Sequence, residues 1–503
     1  MLSALDYTLI VLFLLLTAVI GIATRGKQDK SSDFFLSTGT LPGFVGNGIV
    51  GLSIAATFFS GITFLAYPSV ILNHGLVIFT ASVTFILQYF VVVVFFVPRF
   101  RRKQWKSPYE ILEERFGQST RKVSSILYIL MRLGWMSALI YAPTVAILGA
   151  TGLDDNWFWP VVLLVGLSST IYSAFGGLRG IMVTDAMQML VIVMGCLVTI
   201  AFIAVSLPPS FNEVYDALKE RGTLRTFDFS FDISITTTTW SVLIGSFFAT
   251  AAMYVGDQMS LQRYMTSESI ADVRRSFIVN VVGVIGILTI LAGIGLSLSA
   301  WVAFHPEVEL PENSDQIFPF FVASQLPSGL AGLILAALLA ATMSSMTSGI
   351  NALSSTVQLD LMPRQFSRVN DRQQLVLART LSFGIGLTAT LGAGLVAQLG
   401  QIFDITQKLL GLFLGPLGVC LIVAVLPVQV SGKRVITGMI AGFLTGAVAA
   451  FSPQLAQLSP VFPQIGSMWV APIAILVTAL TILVGTSWRR KVGIDKIPAE
   501  SDY

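Results

Sequence analysis

The chain has 503 residues, of which 54% are hydrophobic and 11% are charged, and its mean hydropathy is +0.80. Soluble domains carry roughly a quarter charged residues, so this composition excludes an ordinary soluble protein and indicates a polytopic, all-α membrane protein. The formal net charge is only +3 and no basic patch suggests nucleic acid, so no nucleic-acid partner is expected.

Hydrophobic runs between charged or Pro/Gly breaks predict about thirteen membrane-spanning helices, since a bilayer core about 30 Å thick needs roughly 20 apolar residues per helix. The predicted spans lie near 4–24, 46–73, 77–98, 123–148, 157–175, 181–206, 238–261, 277–303, 328–356, 376–398, 402–427, 436–452 and 468–487. The loops are too short for a separate soluble domain. Residues 1–503 are therefore expected to form one integral membrane domain without a cleavable signal peptide.

The distribution of Lys and Arg predicts the orientation of the chain. With the N-terminus outside, the outside loops hold only Lys219, Arg221 and Arg225, whereas the inside segments hold nearly all the others. Cytoplasmic loops are enriched in Lys and Arg, so we expect the N-terminus outside and the C-terminus in the cytoplasm.

Two spans resemble each other. The second carries SIAATFFSGITF (53–64) and the seventh carries GSFFATAAMY (245–254), and both pair two phenylalanines with small and hydroxyl residues. Because five spans separate them, the second copy crosses the membrane in the opposite sense, as in an inverted-topology repeat. The similarity is short and apolar, so chance is an equally good explanation.

The fourth span contains a cation, Arg132, about 14 Å from the start of the predicted helix. Its side chain either extends to the inner surface or points to the centre of the bundle, where it would hold an anionic solute bidentately. Trp135 shares its face and offers either an aromatic wall or simple helix packing. In the eleventh span, Gln407 offers hydrogen bonds to a solute.

Asp185 lies in the first turns of the sixth span, in GGLRGIMVTDAMQ (176–188). A carboxylate inside the membrane costs about 2.5–3.5 kcal/mol on insertion scales and indicates a functional site. The alternative is a residue at the inner interface that is solvated or paired with Arg179.

The ninth span carries ATMSSMTSG (341–349), which places four hydroxyls in one and a half turns. On a helix, Ala341, Ser344, Ser345 and Ser348 share one face and Thr347 lies beside them. One explanation is close helix packing with hydroxyls bonded to the preceding turn. The other is a site for Na⁺, a hard cation that prefers oxygen ligands.

A cation site also needs carbonyl oxygens, which an intact helix does not release. The second span is the expected donor, because Ser60, Gly61 and Thr63 weaken its hydrogen-bond ladder. Carbonyls near Ala56 and Phe59 would then face the hydroxyls of the ninth span.

Enzymatic chemistry is not expected. The only histidines, His74 and His305, lie in predicted outside loops, and no metal-hydrolase, nucleophile or phosphate-loop arrangement is present in the sequence.

Four stretches resemble motifs of the sodium/solute symporter family, which includes bacterial sialic acid, galactose and proline symporters and the sodium–glucose cotransporters. They are GGLRGIMVTDAMQ, GDQMSLQRYMTSESIADVRRS (256–276), LAATMSSMTSGIN (339–351) and LLGLFLGPLGVCL. The resemblance implies a leucine-transporter-like fold with two inverted five-helix repeats, 46–206 and 238–427. Residues 4–24 and 436–487 would then form peripheral helices.

The resemblance also implies site residues. The main sodium site would use carbonyls of Ala56, Phe59 and Ala341 with the hydroxyls of Ser344 and Ser345. A second sodium site, found in some members, would use Asp185, Ser345, Thr347 and Ser348. Ser60, Thr63 and Phe248 match solute contacts of the sialic acid branch, whereas Trp135, Phe58 and Ser82 replace other residues that this branch uses.

These observations predict a sodium-coupled symporter of the cell inner membrane, monomeric, that imports a small polar solute by alternating access. The expected solute contacts are Ser60, Thr63, Arg132, Trp135, Phe248 and Gln407. A small organic anion, such as a monocarboxylate or a sugar acid, is favoured because of Arg132. A neutral sugar or polyol and sialic acid are alternatives, and a sodium-responsive channel or sensor is the alternative from another class.

Overall fold

The computed structural model describes residues 2–24, 43–101, 103, 105, 107–208, 210–267, 269–311, 314–362, 369–396, 401–459, 461–484 and 486–488. Several cations that the predicted orientation depends on, including Arg25, Lys27, Lys30, Arg364 and Arg368, lie outside the described residues.

Helices dominate the described chain. The α-helices before residue 238 are α1 Ala4–Ala23, α2 Gly43–Phe58, α3 Gly61–His74, α4 Ser82–Gln88, α5 Val97–Phe100, α6 Glu110–Phe116, α7 Gln118–Thr151, α8 Phe158–Ser206 and α9 Phe211–Glu220. Those after it are α10 Thr239–Gly256, α11 Gln258–Thr266, α12 Ile270–Phe304, α13 Ile317–Gln325, α14 Leu330–Thr356, α15 Asp371–Val396, α16 Ile402–Leu409, α17 Gly415–Val425, α18 Gly432–Ala450, α19 Ser452–Leu458 and α20 Val470–Leu483.

Shorter elements connect or extend these helices. The π-helices are Tyr89–Phe96, Val357–Leu361 and Leu410–Leu414, and the 3₁₀-helices are Gly75–Ala81, Asp155–Trp157, Ser314–Gln316 and Ser467–Trp469. Two short strands, β1 (Val428–Gln429) and β2 (Ser487–Trp488), pair antiparallel.

The all-α prediction is confirmed, but the number of spans is not. Within the described residues, ten helices are long and apolar enough to cross a membrane, and Phe158–Ile171 and Ser467–Leu483 are shorter apolar helices. Several predicted spans do not correspond to one whole helix each, so the count of thirteen does not follow from the structure.

Two predicted spans are each built from two half-helices. The span predicted at 46–73 divides into α2 and α3, with Ser60 in extended conformation between them (φ −109°, ψ 164°). The span predicted at 238–261 divides into α10 and α11 at Asp257, whose side chain caps α11 by accepting a hydrogen bond from the Met259 N–H at 2.9 Å. The first break agrees with the sequence-based expectation, and the second was not expected.

Helix α8 covers two predicted spans, 157–175 and 181–206, and the predicted loop between them is helical. Ser173 donates a hydrogen bond to the Thr347 carbonyl (3.2 Å), and Asp185 accepts one from Ser348 (3.4 Å). A straight helix would separate Ser173 from Asp185 by about 18 Å, yet both contact neighbouring residues of α14. The helix therefore bends sharply in this interval, where the sequence has the Gly-Gly pair at 176–177.

Helix α14 lies at the centre of the molecule. In its most apolar 18-residue stretch 89% of the residues are buried, compared with 22% for α1, which is peripheral. It packs against α8, α7 and α15 and against the half-helices α2 and α3. The hydroxyls of α14 therefore face protein rather than lipid.

Candidate functional site

The break between α2 and α3 presents both backbone carbonyl groups and backbone N–H groups. Because α2 ends at Phe58, the carbonyls of its last turn are released from the helical pattern, while the first N–H groups of α3 lie on the other side of the break. Ser60 caps α3, accepting a hydrogen bond from the Thr63 N–H at 3.4 Å. A Cβ at position 61 would lie 2.2 Å from the Thr342 hydroxyl oxygen of α14, so a larger residue than Gly61 would force that side chain to move.

Oxygen atoms from α14 and from this break meet inside the protein. The Ser344 hydroxyl lies 3.3 Å from the Ala56 carbonyl oxygen and 3.2 Å from the Ala341 carbonyl oxygen. Ser345, the next residue, is fully buried, and its hydroxyl has no hydrogen-bond partner among the described residues. Phe59, also buried, lies at the break itself. These carbonyl and hydroxyl oxygens are buried, uncharged and hard, so together they fit a dehydrated monovalent cation.

Asp185 is fully buried in a polar cluster beside this point. Its Oδ2 accepts hydrogen bonds from Ser53 (2.8 Å), Arg263 (3.2 Å) and Ser348 (3.4 Å), and Arg263 also donates to the Ser348 hydroxyl at 2.7 Å. Of the predicted second-site residues, Asp185 and Ser348 are thus brought together. The Thr347 hydroxyl instead donates to the Met343 carbonyl at 2.9 Å.

The cation paired with Asp185 is Arg263, not Arg179. From the sequence, Arg263 lies in a stretch that resembles a family motif, but no function was predicted for it. Its guanidinium, 1% exposed, supplies the positive charge that a buried carboxylate needs.

Arg132 lies in a second buried ion pair, with Asp257 at the break between α10 and α11. Both side chains are about 3% exposed. Asp257 also accepts hydrogen bonds from the Tyr128 hydroxyl (3.0 Å) and the Met259 N–H (2.9 Å). Arg132 therefore points into the bundle, and its charge is already balanced by a carboxylate.

A cavity with about 940 Å³ of space, its open mouth included, lies beside the first break. Its lining residues are Phe59, Ile62, Thr63, Tyr67, Ile78, Ala81, Phe85, Trp135, Ser246, Ala249, Thr250, Met253, Val284, Ile287, Leu288, Phe403, Thr406, Gln407, Leu410 and Met468. The predicted solute contacts Thr63, Trp135 and Gln407 are among them, whereas Ser60, Arg132 and Phe248 are not.

The wall of this cavity is mainly apolar, and no charged side chain is among the described residues that line it. One of its few polar groups is the hydroxyl of Tyr67, a residue that is only 5% exposed, and this hydroxyl has no hydrogen-bond partner in the described part of the chain. Sequence reasoning missed Tyr67, although its position one turn after Thr63 on the same helix would have pointed to it.

Comparisons with known proteins agree with this architecture. The model of the sodium:solute symporter family matches residues 34–442. A sodium/sialic acid symporter of Aliivibrio fischeri is 27% identical over 455 residues, covering 88% of this chain and 87% of that protein. A sodium-coupled monocarboxylate transporter of Mus musculus is 29% identical, covering 91% of this chain and 74% of that protein.

A solved structure of a Na⁺-coupled sialic acid symporter, in a substrate-bound outward-open state, has a TM-score of 0.84 with this chain. The match covers 95% of this chain and 97% of the other, at 23% identity. The predicted leucine-transporter-like fold is therefore confirmed.

Proposed function

Because the chain belongs to the sodium:solute symporter family, we propose that it uses the family's sodium-coupled transport to carry a small organic monocarboxylate with an apolar body. Sodium and the solute are its partners, and it is a multi-pass membrane protein. The observation that carries the choice of solute is the cavity beside the first break, whose described lining is mainly apolar and includes no charged side chain.

The carboxylate would bind at the beginning of α3. The N-terminus of a helix has unpaired N–H groups and a positive end of the helix dipole, and half-helices present such ends to anionic solutes in transporters. Ile62 and Thr63, in the first turn of α3, line the cavity. The Tyr67 and Gln407 side chains would add hydrogen bonds, while Trp135 and its apolar neighbours would enclose the rest of the solute.

Sodium would bind at the main site, on carbonyls of Ala56, Phe59 and Ala341 and on the hydroxyls of Ser344 and Ser345. The contact between Ser344 and the Ala56 carbonyl at 3.3 Å supports this assignment. An ion there would connect α2 to α14 and favour the outward-open state, and separation of these helices during inward opening would release it.

The break also explains how sodium would promote binding of an anion. A sodium ion and a carboxylate about 7 Å apart, the length of two extended residues, attract each other by about 2.4 kcal/mol at an effective dielectric constant of about 20. This energy corresponds to roughly 60-fold in affinity. A neutral solute would gain almost none of it.

A second sodium ion would use Asp185, Ser345, Thr347 and Ser348. Arg263 already balances the charge of Asp185 at 3.2 Å, so a second ion would have to bind on the other side of the carboxylate or displace the guanidinium. Each sodium ion that moves down a potential of 100 mV supplies about 2.3 kcal/mol, so two ions would drive steeper accumulation than one.

The remaining assignments follow from the sequence. We propose that the protein lies in the cell inner membrane as a monomer, with its N-terminus outside and its C-terminus in the cytoplasm, and that it has no enzymatic activity. The cation distribution supports this orientation.

The test is uptake by proteoliposomes that contain the purified protein, with an inward sodium gradient. Short- and medium-chain monocarboxylates, their uncharged amides, neutral sugars and sialic acid would be compared at equal concentration. We expect concentrative, sodium-dependent uptake of a monocarboxylate and little uptake of its amide. Uptake of sugars alone would reject the proposed solute, and passive flux far above carrier rates would indicate a channel.

A further inference from the structure

A short repeat lies in the segment between α9 and α10, and the proposed transport makes no use of it. The sequence reads Phe-Asp-Phe-Ser at 227–230 and Phe-Asp-Ile-Ser at 231–234. The two copies, which we call the Phe-Asp repeat, have the same local structure. In the first, the N–H and the hydroxyl of Ser230 donate to Oδ1 of Asp228 at 3.0 and 2.7 Å. In the second, those of Ser234 donate to Oδ1 of Asp232 at 2.8 and 2.7 Å.

The apolar side chains of the Phe-Asp repeat are exposed. Their exposed fractions lie between 42% and 75%, for Phe227, Phe229, Phe231 and Ile233. Ile235 and Trp240, which follow in the sequence, are exposed as well. Large apolar side chains that are exposed together indicate an interaction surface, whereas single exposed ones do not.

Backbone hydrogen bonds fix the Phe-Asp repeat to the ends of two helices. Asp228 donates its N–H to the Thr239 hydroxyl at 2.8 Å, and its carbonyl accepts from the Thr239 N–H at 2.8 Å. The Ile233 carbonyl accepts a hydrogen bond from the N–H of Gly466, just before α20. The exposure of the apolar side chains is therefore a property of a held conformation.

Ring contacts place the Phe-Asp repeat at the level where α10 and α20 begin. The ring of Phe229 lies 6.1 Å from that of Trp240, in the first turn of α10. The ring of Phe231 lies 6.3 Å from that of Trp469, the residue directly before α20. Both helices are apolar, and α10 is long enough to cross a membrane. The rings therefore lie near the membrane surface.

One face of α20 leads from these rings into the lipid. Leu476 and Leu480 follow Trp469 by seven and eleven residues, so the three side chains share a face of the helix. Both leucines are more than half exposed. On an apolar helix of a membrane protein, such a row of exposed leucines faces acyl chains. The ring of Phe231 continues this row beyond the start of the helix.

We propose that the Phe-Asp repeat inserts its aromatic side chains into the membrane interface and that phospholipid is its partner. Aromatic rings favour the headgroup region of a bilayer. The carboxylates and the serine hydroxyls of the repeat are hydrogen-bonded to each other, which lowers the cost of removing them from water. The leaflet is the one at which α10 begins, the outer leaflet in the proposed orientation. Lipid also covers the adjoining row on α20, so one partner accounts for the whole exposed surface.

The test is a nitroxide spin label on Phe231→Cys in nanodiscs of phosphatidylethanolamine and phosphatidylglycerol. Collisions of the label with O₂, which concentrates in lipid, are compared with collisions with a water-soluble nickel chelate. Leu476→Cys is the lipid-facing control. Glu307→Cys is the water-facing control, because Glu307 is exposed in the other loop that is expected on the same side. We expect the ratio of O₂ to nickel collisions at position 231 to equal that at 476 and to exceed that at 307.

A second label position keeps the test valid if loss of a ring impairs folding. Ser230→Cys leaves every ring of the Phe-Asp repeat in place, and we expect a label there to be shielded from nickel as well. The native Cys196 and Cys420 are buried, and the unsubstituted protein treated with the same reagent gives the background.

Two results would overturn the proposal. Nickel collisions at 230 and 231 that are as frequent as at 307 would show that the Phe-Asp repeat lies in water. An immobilised label that neither reagent reaches would show that a second protein chain, rather than lipid, covers the repeat. Neither result depends on the solute or on the number of sodium ions.

Discussion

Substitution of Arg132 by Gln separates two roles for this residue. As a solute ligand, Arg132 would matter only for anions. In the structure it pairs with Asp257, and both side chains are about 3% exposed. Arg132→Gln would remove the cation beside the buried Asp257 carboxylate, whose other hydrogen-bond donors in the described part of the chain are the Tyr128 hydroxyl and the Met259 N–H.

The expected magnitude follows from this burial. Removing one partner of a buried ion pair costs about 3–5 kcal/mol, because the other charge stays buried without compensation. For a chain of this length, about 2.1 cal/mol/K per residue gives an unfolding entropy of about 1 kcal/mol/K, so the melting temperature should fall by about 3–5 °C. Because Asp257 lies at the break between α10 and α11, transport of every solute should decrease, whatever its charge.

The matched control is the double variant Arg132→Gln/Asp257→Asn. It removes both charges, and Asn at position 257 still caps α11. We expect the double variant to regain most of the lost melting temperature, so the two substitutions should be strongly non-additive. The assays are thermal unfolding of the purified protein and proteoliposome uptake of a monocarboxylate and its amide.

The reasoning is refuted if Arg132→Gln keeps the wild-type melting temperature and loses only anion transport. That result would make Arg132 a ligand of the solute carboxylate, as the sequence alone suggested.

Three further substitutions test other parts of the site. Ser345→Ala should raise the sodium concentration for half-maximal uptake by about tenfold, which corresponds to about 1.4 kcal/mol. The control Ser382→Ala removes another buried hydroxyl and should leave this concentration unchanged. Equal sodium dependence in the two variants would reject the main-site assignment. Tyr67→Phe should raise the KM for the solute about five- to tenfold through loss of one hydrogen bond and leave the sodium requirement unchanged, and an unaltered KM would remove Tyr67 from the site. Asp6→Ala should lower the melting temperature by about 1–2 °C, because Asp6 accepts hydrogen bonds from two N–H groups at the start of α14. If the variant unfolds at the wild-type temperature, these hydrogen bonds do not stabilise the protein.

The sequence by itself determined the features that depend on whether a segment is surrounded by lipid or by protein. Long apolar runs have to cross the bilayer as helices, because backbone polar groups in lipid must be satisfied within the helix. The sequence also predicted the break at Ser60, because Gly61 and the neighbouring hydroxyl residues weaken a helix. It further indicated that the hydroxyls at 344–348 face protein, because lipid offers them no hydrogen-bond partners.

Only the tertiary structure decided how the buried charges pair and which side chains surround the cavity. Arg263 and Asp185 are 78 residues apart, and Tyr128 and Asp257 are 129 apart. The periodicity of a helix indicates which residues share a face, but not which face of which other helix lies opposite. That choice is made by the packing of all helices together, and it determines whether Arg132 meets a solute or a carboxylate of its own chain.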